Sequence, residues 1–465
     1  MMRANCECVL RVAVLMGMLM MGTVFWGGLI ASDARAQSPS QDDEDPVSAA
    51  DSTMDARAVQ DSSRAARWRR ARRQKEETTE EPTATFLQQA TSFVRDIGGA
   101  VVPHRLILTV PQLEVAGFHP VFSGIDGNAG TTGGLLFEPS FWQGKNRLAE
   151  VEVLGSLRGY YGGGMRFGGM SGPYVAYMYG RYRHRPRETF HGLGIDSKLE
   201  EEAVFRLNQG VVGGLLGRTV GSNVLVGGHL SYQANRFGPG QGNLPTVAER
   251  FGTVPGVGTD IDYLMFGSFF EYDDRDTPYS RAFGHRFAPT EPRLRGISVD
   301  ASQGFYLAGE VTHHLSTRGQ NTDFTRFTLD AREFIPVNEG LFHGFSFRQF
   351  ASVTHSGSGR VPFYQLQSIG GARSLRGYSS GRFRDRNVLL ANAEVRCQVW
   401  HWVDMAVFAD AGHVFRNVGE IELRDPRLGY GLGFRLKKDG KTLGRVDIAR
   451  GNEGWRLHLD VGSLF

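Results

Sequence analysis

In residues 455–461, Trp455, Leu457, Leu459 and Val461 alternate with Arg456, His458 and Asp460, and this period of two constrains the chain more than any other feature. Successive side chains of a strand point to opposite faces, so the segment predicts a strand with one apolar and one ionisable face. The same split recurs at 324–332, where Arg326, Thr328, Asp330 and Arg332 interleave with Thr325, Phe327, Leu329 and Ala331. It returns at 445–449, where Arg445, Asp447 and Ala449 oppose Val446 and Ile448. Two settings suit such strands: a soluble sandwich with its charges outside, or a barrel with apolar residues on lipid and ionisable ones lining a wet interior.

The start of the chain separates these settings. Arg3 and Arg11 flank the head of an apolar run from Val12 to Ile30, and Ala34-Arg35-Ala36 places small residues where a signal peptidase reads. Residues 1–36 are therefore expected to be a signal peptide cleaved before Gln37, with an uncleaved anchor as the other reading of a long apolar run. No later stretch is long and apolar enough for a spanning helix, so a membrane location would require a closed barrel, in which every backbone group finds a partner. Hydrophobic residues make up only 41% of the chain, beside 61 glycines and 11% aromatics, as expected where alternate strand residues face water and turns are frequent. Cys397 is the only cysteine beyond the signal, which excludes an intramolecular disulfide framework, and it reads as a small apolar strand residue. A net charge of +3 without a basic recognition module gives no reason to expect nucleic acid.

Residues 37–83 carry few large apolar side chains, with acids at Asp42 to Asp45 and a basic run, RAARWRRARRQK, at 64–75. This composition predicts a disordered, charged periplasmic tether. The basic run reads as a solvated block, with anionic lipid or an acidic partner as the alternative. In 84–99, Phe86, Leu87, Ala90, Phe93, Val94 and Ile97 fall on one helical face before Gly98-Gly99, predicting a short amphipathic helix. From 100 to 465 the dyad period takes over, with room for roughly sixteen strands of about ten residues each plus turns. An even count returns the last strand beside the first, and Asp439-Gly440 suits a tight hairpin. The expected fold is all-β: a transmembrane antiparallel barrel of sixteen strands with a short N-terminal periplasmic segment.

Several motifs then follow in order: FHGLGIDS at 190–197, EYDDRDTP at 271–278, GGARSLRGY at 370–378, RFRDRN at 382–387, the glutamate of NAEVR at 392–396, and FADAG at 408–412. Together they resemble the barrel of the BamA/TamA outer-membrane assembly-factor superfamily, also called bacterial surface antigens. The resemblance implies that the loop carrying Gly370, Gly371, Leu375, Gly377 and Tyr378 folds into the barrel, with Arg376 at its tip meeting Glu394 and Asp410 on the inner wall. Parity agrees, because Glu394 shares a face with Arg396 and Gln398, and Asp410 shares one with Phe408 and Gly412. A guanidinium can fork onto carboxylates in charge-assisted bonds. An extracellular loop whose arginines meet lipopolysaccharide phosphate or water is the competing reading. The resemblance also makes Trp455, Leu457, Leu459, Val461 and the terminal Phe465 an assembly signal, although Ser463 interrupts its alternation.

Other clusters carry less. Asp273, Asp274 and Asp276 could suggest a cation site, but the resemblance implies a strand end and turn closed by Asp276-Thr277-Pro278, which is the favoured reading. Adjacent His313 and His314 point to opposite faces and cannot share one ion. The glycine-rich 162–170 lacks the Lys-Ser/Thr of a phosphate cradle, and no Gly-x-Ser-x-Gly elbow is present. No catalytic residue, metal site or cofactor is expected.

The assembly factors carry several periplasmic POTRA domains, for which residues 37–100 are too few and too polar, so the chain is expected to be a barrel-only relative. Two functions follow. One is insertion or translocation of proteins or lipids through a parting seam of first and last strands, with unfolded barrel clients and a periplasmic accessory protein as partners beside outer-membrane lipids and lipopolysaccharide. Gly454 and Gly462 would thin the last strand's contacts at that seam. The other is a passive pore or structural barrel with an arginine-locked plug.

Overall fold

The computed structural model describes residues 118–122, 128–129, 132–139, 147–276, 301–319, 321–337, 342–417, 425–438 and 441–460. The expected signal segment, tether and amphipathic helix, together with Thr277-Pro278, Asp439-Gly440, Val461 and Phe465, lie outside these residues.

The described residues are overwhelmingly strand. The first half runs β1 (Phe118–Phe122), β2 (Thr132–Phe137), β3 (Arg147–Ser156), β4 (Tyr161–Ser171), β5 (Tyr174–Phe190), β6 (Ala203–Val220), β7 (Val224–Pro239) and β8 (Ile261–Asp273). The second half opens with β9 (Gly304–Arg318), β10 (Phe324–Pro336) and β11 (Phe342–His355). After a long loop containing the short pair β12 (Gln367–Ile369) and β13 (Phe383–Asp385), it continues through β14 (Asn387–Trp400), β15 (Val403–Phe415), β16 (Arg427–Lys438), β17 (Lys441–Gly451) and β18 (Gly454–Asp460). Apart from β12 and β13, every strand pairs antiparallel with its sequence neighbour in one sheet that begins at β1 and ends at β18. Among the described residues, no helix is long and apolar enough to cross a membrane.

Burial in this sheet is inverted relative to a soluble fold. On β10, Phe327 and Leu329 are 47% and 45% exposed, whereas Arg326, Asp330 and Arg332 are buried. On β17, Ile448 is exposed while Arg445 and Asp447 are buried. Trp455 and Leu457 are exposed on β18, and the exposed apolar side extends to Met178, Leu216, Leu230, Phe266 and Leu432 on the other strands. A soluble sandwich would expose the ionisable face, so this pattern fits a sheet whose outer surface meets hydrocarbon. Val395 departs from it: although it points away from Glu394, it is buried under Phe345, Ala393, Val407 and Ala409.

The inner face is filled by the segment between β11 and β14. Gln365 reaches Asn235 on β7, Arg326 of β10 donates to the Gln365 carbonyl, and Arg373 pairs with Asp460 on β18. One loop thus touches strands from both halves of the ladder, as it can when the sheet curls around it. Where the segment enters, Phe363 packs among Phe190, Phe205 and Phe237, joined by Val247 of the short helix α1 (Val247–Phe251). A capping box of Thr246 and Glu249 starts that helix.

Leu329 lies mid-strand on the apolar side, so Leu329→Arg should destabilise the folded chain by about 2–4 kcal/mol if it sits near the bilayer midplane. Urea unfolding in lipid vesicles measures this, and a neutral effect would contradict a lipid-facing assignment.

Candidate functional site

The loop tip is set by local geometry before any charge is considered. The Gly370 amide donates to the Ser374 hydroxyl and the Gly371 amide to the Tyr378 carbonyl, closing the turn on itself. Gly377 has φ +93°, and a Cβ there would run into the β17 backbone at Arg450 and Gly451. Only glycine meets both demands without strain. Leu375 and Tyr378 are buried beside Ile369, Phe383, Val388, Leu390 and Val414. The Tyr378 hydroxyl donates to the Leu428 carbonyl and accepts from the Asn452 amide.

This turn delivers Arg376, fully buried, to the wall, and the structure brings it together with Glu394 and Asp410. Its Nε and Nη2 donate to the two Asp410 oxygens at 2.8 and 2.7 Å, and Nη1 donates to Glu394 Oε2 at 2.9 Å. The Arg376 backbone amide adds a bond to Asp410 at 3.0 Å. The guanidinium also lies 3.4 Å from the centroid of the Phe408 ring. Register explains the convergence. Asn392 is opposite Asp410 across β14 and β15, which puts Glu394 two residues along the same face, and Asp410 is opposite Gly429 on β16.

The carboxylates serve more than one arginine. Glu394 accepts from Arg396 Nε at 2.8 Å and from Arg435 Nη2 at 2.7 Å, and Arg435 Nη1 reaches Asp447 at 2.5 Å. Arg445 pairs with Asp460 at 2.8 Å and donates to the Ala372 carbonyl of the loop at 2.6 Å. Asn392 bridges Asp410 and the Ser374 carbonyl. The buried members of this network are four arginines, 376, 396, 435 and 445, and four carboxylates, 394, 410, 447 and 460, equal in number, and the exposed Arg373 adds a fifth guanidinium on Asp460. In a low-dielectric interior, such pairing separates a stable network from a prohibitively costly one.

Sequence reasoning reached Arg376, Glu394 and Asp410 through the motif resemblance and missed Arg435, Asp447, Arg445, Asp460, Asn392 and Phe408 as members. It also missed Gly429 and Gly433, although their alternation on β16 was a readable signal. A Cβ at Gly429 would collide with the Arg376 carbonyl oxygen, and one at Gly433 with Asp447 and Arg435. The inner face of β16 is thus a trench in which the tip and an ion pair can lie.

A second tie closes the loop end. Arg382 donates to Glu453 at 2.7 Å and to the Ser197 hydroxyl and carbonyl at 2.9 and 2.6 Å. Arg427 donates to the Ile195 carbonyl, and the Gly194 amide to that of Arg384. The FHGLGIDS and RFRDRN motifs therefore meet. Burial, reinforced by Arg382, Arg384 and Arg456, pushes the His191 imidazole down to about 4, so it adds no charge among them at neutral pH.

Elsewhere, the acidic run at 273–276 is used locally. Asp273 pairs with Arg275 at 2.8 Å, Asp274 accepts from the Phe305 amide, and Asp276 from the Ser302 amide. His314 stacks on Phe324, while His313 bonds Thr325. Cys397 is buried on β14.

An antiparallel sheet with an apolar outer face and a charge-lined inner face, entered by an arginine-tipped loop, has the organisation of a membrane β-barrel wall. The family model described as the Omp85 superfamily domain matches residues 294–440, a span that contains the loop, Arg376, Glu394 and Asp410, and it bears out the resemblance read from the motifs. The fold is similar to the crystal structure of BamA from Haemophilus ducreyi lacking POTRA domains 1-3, with TM-score 0.52 and 13% identity over 81% of this chain and 76% of that one. CdiB from Acinetobacter baumannii is similar at TM-score 0.44 and 13% identity, over 72% and 57% of the two chains. No curated protein sequence matches.

Truncating Arg376 to alanine would leave buried carboxylates uncompensated and should cost about 3–5 kcal/mol in vesicle unfolding experiments. A cost near zero would mean that the tip is not held by these pairs.

Proposed function

We propose that this chain is a closed, sixteen-stranded outer-membrane barrel that helps insert or translocate other proteins at that membrane. In this reading, residues 1–36 direct export, 37–83 form a periplasmic tether, and the segment ending at Phe465 is the signal by which the barrel is itself assembled.

The observation that carries the proposal is a contrast within one sheet. Among the described residues β1 and β2 span five and six residues, whereas β5 and β6 span seventeen and eighteen. In this reading the seam lies between β1 and the last strand, while the buried charge network braces β14 to β18 through the loop. A parted strand edge is a natural template for an incoming strand. The work asked of the protein is strand exchange and bilayer disturbance, which calls for no nucleophile or bound metal, so the proposed role is non-enzymatic. Unfolded barrel polypeptides are the proposed clients, with outer-membrane lipids and lipopolysaccharide around the wall and a periplasmic accessory protein as a partner. The loop lying on the inner face, packed there through the Phe363 cluster, argues against a wide passive pore.

An unfolded outer-membrane barrel client added to liposomes holding the folded protein should insert several-fold faster than into empty liposomes. No acceleration would favour the plugged structural barrel.

A further inference from the structure

The outer face changes character across β11, β14 and β15. On β10, Phe327, Leu329 and Ile335 stand out from the wall, and on β16 Leu428, Leu432 and Phe434 do the same. Between these ridges the outward positions are small. Register sets Ala331 opposite Gln349, Gln349 opposite Ala391 and Ala391 opposite Ala411, with Ala351 beside Gln349 on the same face. Among the described residues of β11, β14 and β15, the one large apolar side chain that is exposed is Trp400, at the end of β14. Val395 is buried under its neighbours, so the bottom of this trough is packed shut.

Gln349 is the anomaly. It is exposed at mid-strand on β11, pointing away from the side that Arg348 turns inward to Asp330. Among the described residues its amide meets no hydrogen-bond partner. On a soluble protein water would satisfy it. In a hydrocarbon layer the same amide is as costly as one buried unpaired in a core.

We propose that the trough is an interface for a second copy of this chain, with Gln349 on the twofold axis. The proposal rests on the reading that this face meets lipid. Two copies in one membrane share an orientation, so a twofold axis along the membrane normal brings Gln349 to Gln349 at the same depth. An amide is its own complement, because the NH2 of each can donate to the oxygen of the other. The same rotation carries the β10 ridge, on one side of Gln349, into the partner's trough over β14 and β15, on the other side. Small residues there let two walls approach closely, as they do at interfaces within membranes. A partner of different sequence would have to supply both the ridge and the amide; a second copy carries both.

The test is sedimentation equilibrium of the full chain, folded in density-matched detergent micelles. A concentration-dependent dimer is expected, weakened at least about tenfold in Gln349→Leu, roughly the hydrogen bonds lost, and abolished in Ala391→Phe, which fills the trough. Neither change touches the inner face, so heat-modifiable gel mobility should show both variants folded; if Ala391→Phe does not fold, Gln349→Leu decides. A parent that folds but sediments as a monomer overturns the proposal, whatever other molecule the trough accepts. A dimer whose affinity is unchanged in either folded variant also overturns it, since that dimer forms through another face. A chain that never folds in micelles would contradict the membrane reading itself, and the proposal with it.

Discussion

Burying charge inside a sheet whose outer face is apolar is the constraint on which the rest of this structure depends. A soluble protein sends ionisable side chains outwards; here the outer face carries Phe327, Leu329 and Ile448, so Asp330, Arg445 and Asp447 must be satisfied within. Water could hydrate such groups in an open lumen, but the segment between β11 and β14 occupies that space. The charges must therefore meet one another, and four arginines facing four carboxylates meet that demand around Arg376.

Several otherwise unrelated features follow from that demand. The loop tip needs Gly377 to turn without striking β17, and β16 needs Gly429 to admit the Arg376 carbonyl. Asn392 holds Asp410 while bonding the loop backbone at Ser374, so one side chain fixes both the carboxylate and the loop that meets it. Arg382 then ties the other end of the loop to Ser197 and Glu453, joining motifs nearly two hundred residues apart in sequence. The tip and the returning end of the loop are thus fixed separately.

Much of the fold was legible because a period of two survives even in short windows. Residues 324–332 and 445–449 announced which side chains would be inside, and burial follows that division. The three residues at the tip were legible only through the order of the motifs, since no spacing rule links Arg376 to Asp410 across thirty-four positions. Arg435, Asp447 and Asp460 escaped because partner choice depends on register between strands, which turn lengths and bulges set and alternation does not. Gly429 and Gly433 stand in plain view on β16, but their role appears only once Arg376 and Asp447 are known to sit over them.

The most direct measurement of the central claim is a double-mutant cycle on Arg376→Met and Asp410→Leu, read by reversible unfolding in lipid vesicles. If the pair is coupled within the buried charge network, removing both should cost less than the sum of the single losses by more than about 1 kcal/mol. Additivity within about 0.3–0.5 kcal/mol would mean that the two side chains act independently. The loop would then be held by its apolar packing rather than by its charge.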